Sequence, residues 1–457
     1  MNIIINKFGD SLAHLVRNSL FDQNRYGDSF VEGKESYREI LCMAAGMVAR
    51  FSSEQASAVK VCICTDDKSV MAAAIVASLA GGPDLVLPYS FSEQVLVETR
   101  EHTGYTAVIS ENGLEIGGVE ILNPADFSGD PASLSMVRGL DSEFLCLFTG
   151  GSTGKPKAWG KTVRNVFAEA MYLAKKYSFS SGDKILATVP PYHIYGFLFS
   201  VLVPLVSGAV VIERVCTFPR EIINAIEQDC PTILVSVPVH YRILKGFEFS
   251  GNLLRAAFSS SGPLAPEDGA YFSEMTGVPI FEVYGSTETG GIATRCRYRG
   301  ETSLRVFDNI DWKITDERLC VRSEFISPAL PVDKRGYFTT GDRVEKDGRT
   351  SFKLLGRADG IVKIGGKRID LGEIQEKITG IEGVTDCVIV PLESRNGKEA
   401  DLAALVEGAV DESVVRDRIK DMVEPYALPR RIKVVHKIPR VLTGKYDRKK
   451  ILDFFAQ

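Results

Sequence analysis

One stretch constrains the fold of this chain more than any other: Leu147-Phe148-Thr149-Gly150-Gly151-Ser152-Thr153-Gly154-Lys155-Pro156-Lys157. It contains three glycines, three hydroxyl side chains and two lysines. An apolar run of strand type, residues 144–148, leads into it, and apolar residues at helical spacing follow from Lys161 to Tyr177. The pattern predicts a loop between a buried strand and an amphipathic helix.

The composition of this loop favours the binding of a polyanion. Backbone N–H groups of the glycine-rich turn and the ammonium groups of Lys155 and Lys157 can all be directed at one charged group. We interpret that group as a nucleotide triphosphate, with a plain surface turn as the alternative. The loop is not a Walker A motif, because that motif needs glycine where this chain has Thr149, and a hydroxyl residue where it has Pro156.

Length and composition indicate an ordinary globular protein. The 457 residues exceed the size of a single hydrophobic core, so we expect at least two domains. A net charge of -5 gives no argument for binding to nucleic acid or membrane. Nine cysteines without a CxxC pair indicate free thiols rather than a zinc site or disulfides. No secretion signal is recognisable at the amino terminus, so we expect a cytoplasmic protein.

One uncharged segment is long enough on paper to cross a bilayer. Residues 185–212 contain no Asp, Glu, Lys or Arg. However, Pro190, Pro191, Pro204 and Gly208 divide the segment into pieces that are too short to cross. We therefore predict a strand, a loop, a buried helix and a second strand of an α/β core, and no membrane span.

Alternating strands and helices predict parallel βαβ units before about residue 304. The first units are predicted as a helix at 35–51, a strand at 59–64, a helix at 70–80 and a strand at 84–88. Ligands are expected at the carboxyl ends of such strands. Later strands run into polar loops near Ser261 and at Ser286. Beyond Leu304 we predict short strands, including a two-residue hairpin at Asp347-Gly348.

A change of pattern near residue 356 predicts a domain boundary. The segment Gly356-Arg357-Ala358-Asp359-Gly360 is bounded by glycines and lacks apolar anchors. We predict one domain at 1–356 and a compact α+β domain at 357–457. The final part of the second domain, residues 430–450, carries nine Lys or Arg residues against one acid, Asp447.

Five motifs in this order resemble those of the AMP-forming adenylate ligases, which include acyl- and aryl-CoA synthetases, peptide-synthetase adenylation domains and luciferases. The motifs are GGSTGKPK at 150–157, VYGSTE at 283–288, TTGD at 339–342, GRADGIVKIGGKRIDLGEI at 356–374 and PRVLTGKYDR at 439–448. The chain is similar to a short member of that superfamily. The resemblance implies an α/β protein with a large amino-terminal domain of several subdomains with parallel βαβ sheets, and a small, mobile α+β carboxyl-terminal lid domain.

The resemblance also implies an enzyme, an AMP-forming acid–thiol ligase of the acyl- or aryl-CoA synthetase type. It implies ATP, Mg²⁺ and CoA as cofactors and a small-molecule carboxylic acid as substrate. Adenylation requires a clamped in-line phosphoryl centre rather than a protein nucleophile. A phosphopantetheine-bearing acyl carrier protein is an alternative acceptor. A non-catalytic nucleotide-binding homologue is a third hypothesis, while the identity of the acid, the oligomeric state and the pathway stay open.

In the large domain the resemblance implies a phosphate clamp and a nucleoside pocket. The implied nucleotide-binding residues are Thr149, Gly151, Ser152, Thr153, Gly154 and Lys157 around the phosphates, and Gly262, Tyr284, Gly285 and Ser286 around the nucleoside. Thr287 would contact the α-phosphate, Glu288 would hold Mg²⁺, and His193 would lie near the acid pocket. A helix-start carboxylate at Glu288 and a core histidine at His193 are the alternatives.

In the remaining chain the resemblance implies ribose, catalytic and hinge residues. Asp342 with Arg357 would bind the ribose hydroxyls, and Lys445 would reach the substrate carboxylate and the α-phosphate. Asp359 would be the hinge about which the lid domain moves between two half-reactions. The path of the pantetheine thiol would be lined by Gly366, beside Lys363 and Arg368. The alternatives are a turn acid at Asp342, a linker acid at Asp359, and solvated ion-pair partners at Arg357 and Arg368.

The chain also departs from the family pattern. Gly150 stands where a serine is commoner, and Ala158-Trp159-Gly160-Lys161-Thr162 replaces the usual Gly-Val and Ser-His continuation. No aspartate occurs in the context that amino-acid-activating domains use, so an acyl or aryl acid is favoured. The basic residues at 430–450 suit the phosphates of CoA or an acidic carrier protein.

Overall fold

The structure is a computed structural model that describes residues 5–52, 59–111, 113–149, 157–249, 251–364, 367–392, 401–420, 422–423, 427–441 and 444–456. The chain divides into two compact units. Unit 1 comprises Met1–Thr302 with Ser323–Pro331, and unit 2 comprises Ser303–Arg322 with Val332–Gln457. The predicted boundary between residues 356 and 357 falls within unit 2 and stays a prediction.

The first sheet of unit 1 is largely parallel. Its strands are β1 (Lys60–Ile63), β2 (Asp84–Leu87), β3 (Ala107–Ile109), β4 (Glu120–Leu122), β5 (Glu143–Thr149) and β6 (Lys157–Thr162). They follow the order β4-β3-β1-β2-β5-β6, and only β6 is antiparallel to its neighbour. Its part of the chain contains the helices α1 (Ile5–Leu20), α2 (Tyr37–Phe51), α3 (Lys68–Leu79) and α4 (Glu93–Thr103).

Local sequence explains why α2 and α3 form where they do. Ser36 and Glu39 form a reciprocal capping box at the start of α2. The carboxylate of Asp67 accepts hydrogen bonds from the amides of Ser69 and Val70 at the start of α3. Every residue of α3 is buried, including Lys68 at its start, whereas the small and aliphatic side chains predict burial only from Val70 onward. These two predicted helices are confirmed.

A second set of parallel strands completes unit 1. It comprises β7 (Lys184–Ala187), β8 (Val210–Val211), β9 (Ile233–Ser236), β10 (Ala256–Ser259), β11 (Ile280–Ser286) and β12 (Gly290–Arg295), in the order β12-β11-β10-β9-β7-β8. Only β12 is antiparallel to its neighbour within this set. The helices are α5 (Val163–Lys176), α6 (Ile194–Phe197), α7 (Val203–Ser207), α8 (Pro219–Gln228), α9 (Pro238–Ile243) and α10 (Pro266–Thr276).

The strand, loop, buried helix and second strand predicted for the uncharged segment 185–212 are confirmed. The segment forms β7, a buried helical stretch from α6 through a π-helical turn to α7, and β8. Gly196 allows the helix to approach the preceding loop, because a Cβ there would lie 2.1 Å from the carbonyl oxygen of Pro190. Across the described parts of the chain, no helix has both the length and the apolar character needed to cross a membrane.

The connection after the glycine-rich stretch differs from the prediction. β5 pairs with β6 in antiparallel fashion, with Thr149 opposite Lys157. The loop therefore connects two strands, and the expected strand-to-helix connection is wrong. α5 starts only after Thr162, whose hydroxyl accepts a hydrogen bond from the Asn165 amide while the Asn165 side chain accepts one from the Thr162 amide. This capping box fixes the helix start, so Lys161 belongs to the strand.

Unit 2 begins with five antiparallel strands. These strands are β13 (Leu304–Val306), β14 (Asp311–Thr315), β15 (Arg318–Arg322), β16 (Phe338–Asp347) and β17 (Ser351–Arg357), in the order β14-β15-β16-β17-β13. The predicted hairpin between β16 and β17 exists, but Asp347 pairs with Ser351, which leaves residues 348–350 in the turn. The two-residue turn was wrong because Gly348, at φ +75°, begins a longer connection.

The rest of unit 2 has the predicted α+β pattern. It comprises β18 (Ile361–Ile364), β19 (Lys367–Asp370), α11 (Leu371–Thr379), β20 (Val384–Leu392), β21 (Asp401–Gly408), α12 (Glu412–Lys420), β22 (Arg431–Val435) and α13 (Arg448–Asp453). β21 lies between antiparallel β20 and parallel β22. Ile378 of α11 and Ile419 of α12 are fully buried in one apolar cluster with Leu402 of β21.

Candidate active site

The ends of β5 and β6 carry the first and last residues implied in the phosphate clamp. Thr149 and Lys157 face each other across the two strands, with Thr149 half-buried and Lys157 exposed. The indole Nε1 of Trp159 lies 3.4 Å from the Thr149 hydroxyl and donates to it. The other members of the clamp lie outside the described residues, namely Gly151, Ser152, Thr153 and Gly154.

The end of β11 and the turn to β12 carry five implied residues. Tyr284, Gly285 and Ser286 lie on β11, and Thr287 and Glu288 lie in the turn. Tyr284, Thr287 and Glu288 are half-buried. A β-bulge occurs between Tyr284 and Gly285, and a Cβ at Gly285 would lie 2.3 Å from the carbonyl oxygen of Gly290. Only glycine fits at position 285, so the backbone at this end of β11 is closely defined.

A pair of hydroxyl groups closes this loop. The Ser286 and Thr289 hydroxyls lie 2.8 Å apart, and the Ser286 amide donates to the Thr289 hydroxyl at 3.2 Å. Thr289 is buried, whereas Ser286 remains half-buried. The sequence did not indicate that one implied site residue is held by its buried neighbour.

The carboxyl ends of neighbouring strands bring Gly262 to the same edge of the sheet. β10 and β11 are adjacent and parallel, and the Ser260 hydroxyl after β10 donates to the Val283 carbonyl at 2.8 Å. Gly262 is exposed, and the nearest atom to a Cβ built on it would be Pro238 Cγ at 3.9 Å. A flat ligand group can therefore approach this backbone closely.

His193 lies beyond β7, at the start of α6. It is half-buried, and its ring centroid is 4.6 Å from that of Tyr192. Tyr192 in turn lies 4.5 Å from Phe91. His193 therefore borders an aromatic group near the carboxyl ends of the second set of strands in unit 1. This position is consistent both with a place near the acid pocket and with the alternative of a core histidine.

The Glu288 carboxylate is suited to a Mg²⁺ ion that is also coordinated by the phosphates of a nucleoside triphosphate. Among the residues that the structure describes, no group of three or more His, Cys, Asp or Glu side chains could hold a metal ion. Mg²⁺ is commonly held by one or two carboxylates together with substrate phosphates and water. A single half-buried carboxylate meets that requirement, and a site made by protein ligands alone does not occur in the described chain.

Two buried charged residues behind the loop were not identified from the sequence. The Lys161 Nζ donates to the Phe325 carbonyl at 3.1 Å, and Glu169 Oε1 accepts a hydrogen bond from the Gly291 amide at 2.7 Å. Burial lowers the pKa of Lys161 to about 8, while burial raises the pKa of Glu169. The available signal was the unusual segment 158–162.

Within unit 2, the structure brings Asp342 and Arg357 together. They are cross-strand partners on β16 and β17, and Arg357 Nη1 lies 3.6 Å from Asp342 Oδ1. A Cβ at Gly341 would lie 2.6 Å from Arg357 Nη2, so glycine leaves room for the guanidinium across the strand. A carboxylate beside a guanidinium offers acceptors and donors to a vicinal diol.

The loop that carries Lys445 is anchored by residues with no implied role. Lys445 is exposed, and its carbonyl accepts a hydrogen bond from the Val441 amide at 2.9 Å. The Arg440 guanidinium is paired with Asp386 and lies 4.3 Å from the ring centroid of Tyr446. The Tyr446 hydroxyl donates to Asp386 at 2.8 Å, and burial raises its pKa.

The hinge and thiol-path residues are only partly described. Asp359 lies in a short 3₁₀ turn, Ala358–Gly360. Arg368 lies on β19 opposite Lys363 of β18. The side chains of these three residues lie outside the described set, as does Gly366 altogether. Nearby, Arg343 forms an ion pair of 2.8 Å with Asp370, which also caps α11.

Polar loops at the carboxyl ends of parallel strands, beside a backbone open to a flat ligand, define an α/β nucleotide-binding protein. The chain belongs to the AMP-binding enzyme family, whose model matches residues 36–325. A probable CoA ligase of Humulus lupulus is 26% identical over 397 residues, a match that covers 73% of this chain and 65% of that protein. The chain thus spans less than two thirds of that relative's length.

Solved structures share the whole fold. ATP-bound MatB from Rhodopseudomonas palustris has a TM-score of 0.84 at 20% identity, with 97% of this chain and 99% of that chain covered. The O-succinylbenzoate coenzyme A synthetase from Bacillus subtilis, in complex with ATP and magnesium ion, has a TM-score of 0.81 at 18% identity, with 96% and 99% covered. The family resemblance and the fold class predicted from the motifs are confirmed.

Proposed function

We propose that this chain is a Mg-ATP-dependent ligase that joins a small carboxylic acid to the thiol of CoA. A carboxylate oxygen attacks the α-phosphorus of ATP, and pyrophosphate leaves with the electrons of the broken P–O bond. The thiolate then attacks the acyl carbon, and AMP leaves. The observation that carries the proposal is that Tyr284 at the end of β11, and Thr287 and Glu288 in the turn after it, lie at the same sheet edge as the exposed backbone of Gly262.

Residues of unit 1 bind the nucleotide in this proposal. Tyr284 stacks on adenine beside Gly262, Thr287 contacts the α-phosphate, and Glu288 holds the Mg²⁺ that neutralises phosphate charge. The backbone at Gly285 and Ser286 borders the nucleoside. The phosphate clamp consists of Thr149, Gly151, Ser152, Thr153, Gly154 and Lys157. The family match, a relative named as a probable CoA ligase and an ATP-bound solved structure of the same fold support the binding of ATP by this chain.

Residues of unit 2 act on the ribose and on the reacting carboxylate in this proposal. Asp342 with Arg357 binds the ribose hydroxyls, and the Lys445 ammonium stabilises the charge that develops at the α-phosphate. Residues 357–457 act as the lid domain, with Asp359 as the hinge. The thiol is guided by Gly366 and Arg368, while His193 of unit 1 borders the acid pocket. The apolar clusters formed within 362–455 support a lid with its own core.

The decisive test is acid-dependent exchange of labelled pyrophosphate into ATP with a panel of acyl and aryl acids. We expect exchange with the wild-type chain and its loss in Lys445→Ala. Lys437→Ala provides a matched control, because Lys437 is an exposed lysine in the same basic region. Normal exchange by Lys445→Ala would show that the catalytic assignment is wrong, and no exchange by the wild-type chain with any acid would favour a nucleotide-binding protein without catalysis.

The acceptor is a second question, and exposed basic residues make a carrier protein a specific candidate. Lys433, Lys437, Arg448 and Lys449 are exposed. They suit the phosphates of CoA or the acidic surface of a carrier protein. Thioester formation should be measured with CoA and, separately, with a phosphopantetheinylated carrier protein. Product with only one acceptor would decide between the two.

A further inference from the structure

Two buried charged side chains form hydrogen bonds with the backbone of the segment from Glu288 to Gly291, one at each end. The Lys161 Nζ lies 3.4 Å from the carbonyl oxygen of Glu288 and donates to it. At the other end, the Glu169 carboxylate accepts the Gly291 amide hydrogen bond. Hydrogen bonds from buried charged groups are stronger than neutral ones, so these contacts restrict the loop backbone.

The packing behind this segment leaves no room for a side chain at Gly290. Gly290 has φ +68°, and a Cβ on it would lie 2.7 Å both from Glu169 Oε2 and from Phe325 Cβ. The Ser327 amide donates to the Glu288 carbonyl at 2.8 Å, which gives that oxygen a second donor besides Lys161. A fixed carbonyl limits the directions in which the Glu288 carboxylate can extend.

One strand connects this support to the phosphate clamp. Lys157 begins β6, and Lys161 lies four residues further along it. Side chains alternate along a strand, so Lys157, Trp159 and Lys161 share one face over roughly 13 Å. The middle residue contacts Thr149 on β5. β6 therefore links the clamp at one end to the Glu288 loop at the other.

We propose that Lys161 and Glu169 are positioning residues that hold Glu288 in place for the metal of Mg-ATP. They act through the backbone of residues 288–291 and through no contact with nucleotide. This inference rests on the proposed function, in which Glu288 is the metal ligand.

Three variants separate the charge from the hydrogen bonds. Lys161→Met keeps most of the side-chain volume but removes the donor. Glu169→Gln removes the charge but keeps an oxygen that can accept from Gly291. The double variant removes both charges together, so it leaves no unpaired buried charge and guards against misfolding of the single variants. Lys175→Met, an exposed lysine on α5, is the matched control.

Calorimetry should measure ATP binding by each full-length variant in EDTA and then across a Mg²⁺ titration, with thermal unfolding recorded in parallel. We expect unchanged binding in EDTA, but a half-maximal Mg²⁺ concentration raised about tenfold in Lys161→Met and in the double variant, as loss of a charged hydrogen bond predicts. Glu169→Gln should show a smaller rise, because one acceptor remains. Lys175→Met should match the wild-type chain.

The two proposals fail in different ways. If the wild-type chain binds ATP with no dependence on Mg²⁺, the proposed metal role of Glu288 is wrong, and the positioning role falls with it. If the wild-type chain depends on Mg²⁺ but the double variant gives the same Mg²⁺ titration, only the positioning role is overturned. A fall in unfolding temperature with an unchanged Mg²⁺ midpoint would likewise overturn it, since this is the result of a merely structural role.

Discussion

Replacement of Asp386 by alanine should loosen the loop that carries Lys445. Asp386 lies on β20 and is 6% exposed. Its carboxylate pairs with the Arg440 guanidinium and accepts hydrogen bonds from the Tyr446 hydroxyl and the Cys387 amide. The substitution therefore removes the acceptor shared by the two residues that flank the loop.

The size of the effect follows from burial. The Asp386 and Arg440 side chains are 9% and 18% exposed, so the pair is largely screened from water. Removal of one partner of such a pair costs about 3 kcal/mol, at the low end for buried ion pairs because Arg440 reaches some solvent. Asp386→Asn should cost less, about 1 kcal/mol, because its amide oxygen still accepts from Tyr446.

Hydrogen exchange provides the assay, because two amides report on the loop itself. The Val441 amide donates to the Lys445 carbonyl and the Gly444 amide donates to the Val441 carbonyl, each at 2.9 Å. In Asp386→Ala we expect these amides to exchange about a hundredfold faster, and pyrophosphate exchange to fall with them.

A matched control uses the exposed ion pair of Asp417 with Lys420 on α12, where the N–O distance is 2.9 Å. Asp417→Ala should leave the exchange of both loop amides unchanged, because exposed pairs contribute little. Exchange rates in Asp386→Ala within twofold of the wild-type chain would refute the anchoring argument.

Two further predictions concern the hinge and the pH dependence of stability. Asp359→Pro should leave pyrophosphate exchange intact but block thioester formation, and equal loss of both would argue against a hinge at Asp359. His240 is buried, and burial lowers its pKa to about 4, below that of the unfolded chain, so the unfolded state binds the extra proton. Stability should therefore fall by about 3 kcal/mol as pH drops from 6.5 to 4, and denaturant unfolding of His240→Gln should show a smaller fall.

The parallel core was predictable because its signals are local. An apolar face at helical spacing defines α2, and a run of small residues after the Asp67 cap defines α3. The strand after the phosphate clamp was not predictable in this way. Apolar spacing from Lys161 onward fits a helix, but the capping box at Thr162 and pairing with β5 decide the outcome.

The same distinction between local and long-range signals applies to the site. Tyr284, Thr287 and Glu288 lie within five residues of each other, so a single motif identifies all three. Asp342 and Arg357 come from two motifs, and the sequence alone does not give their cross-strand register. The anchor between Asp386 and Arg440 joins residues far apart in the chain, and an acid on an otherwise apolar strand gives no sign of its partner.

Lys161 illustrates why the missed residues concentrate behind the loops. A lysine between Gly160 and Thr162 is expected to be exposed, because burial of an unpaired charge is costly. Here the Phe325 and Glu288 carbonyls accept from the ammonium group, and the Glu169 carboxylate offsets part of its charge. Each compensating group comes from a different segment of the chain. The burial of the Lys161 charge is therefore stabilised only in the tertiary fold. The departure from the family pattern at residues 158–162 includes Lys161, but the sequence of this segment does not indicate which groups compensate the buried charge.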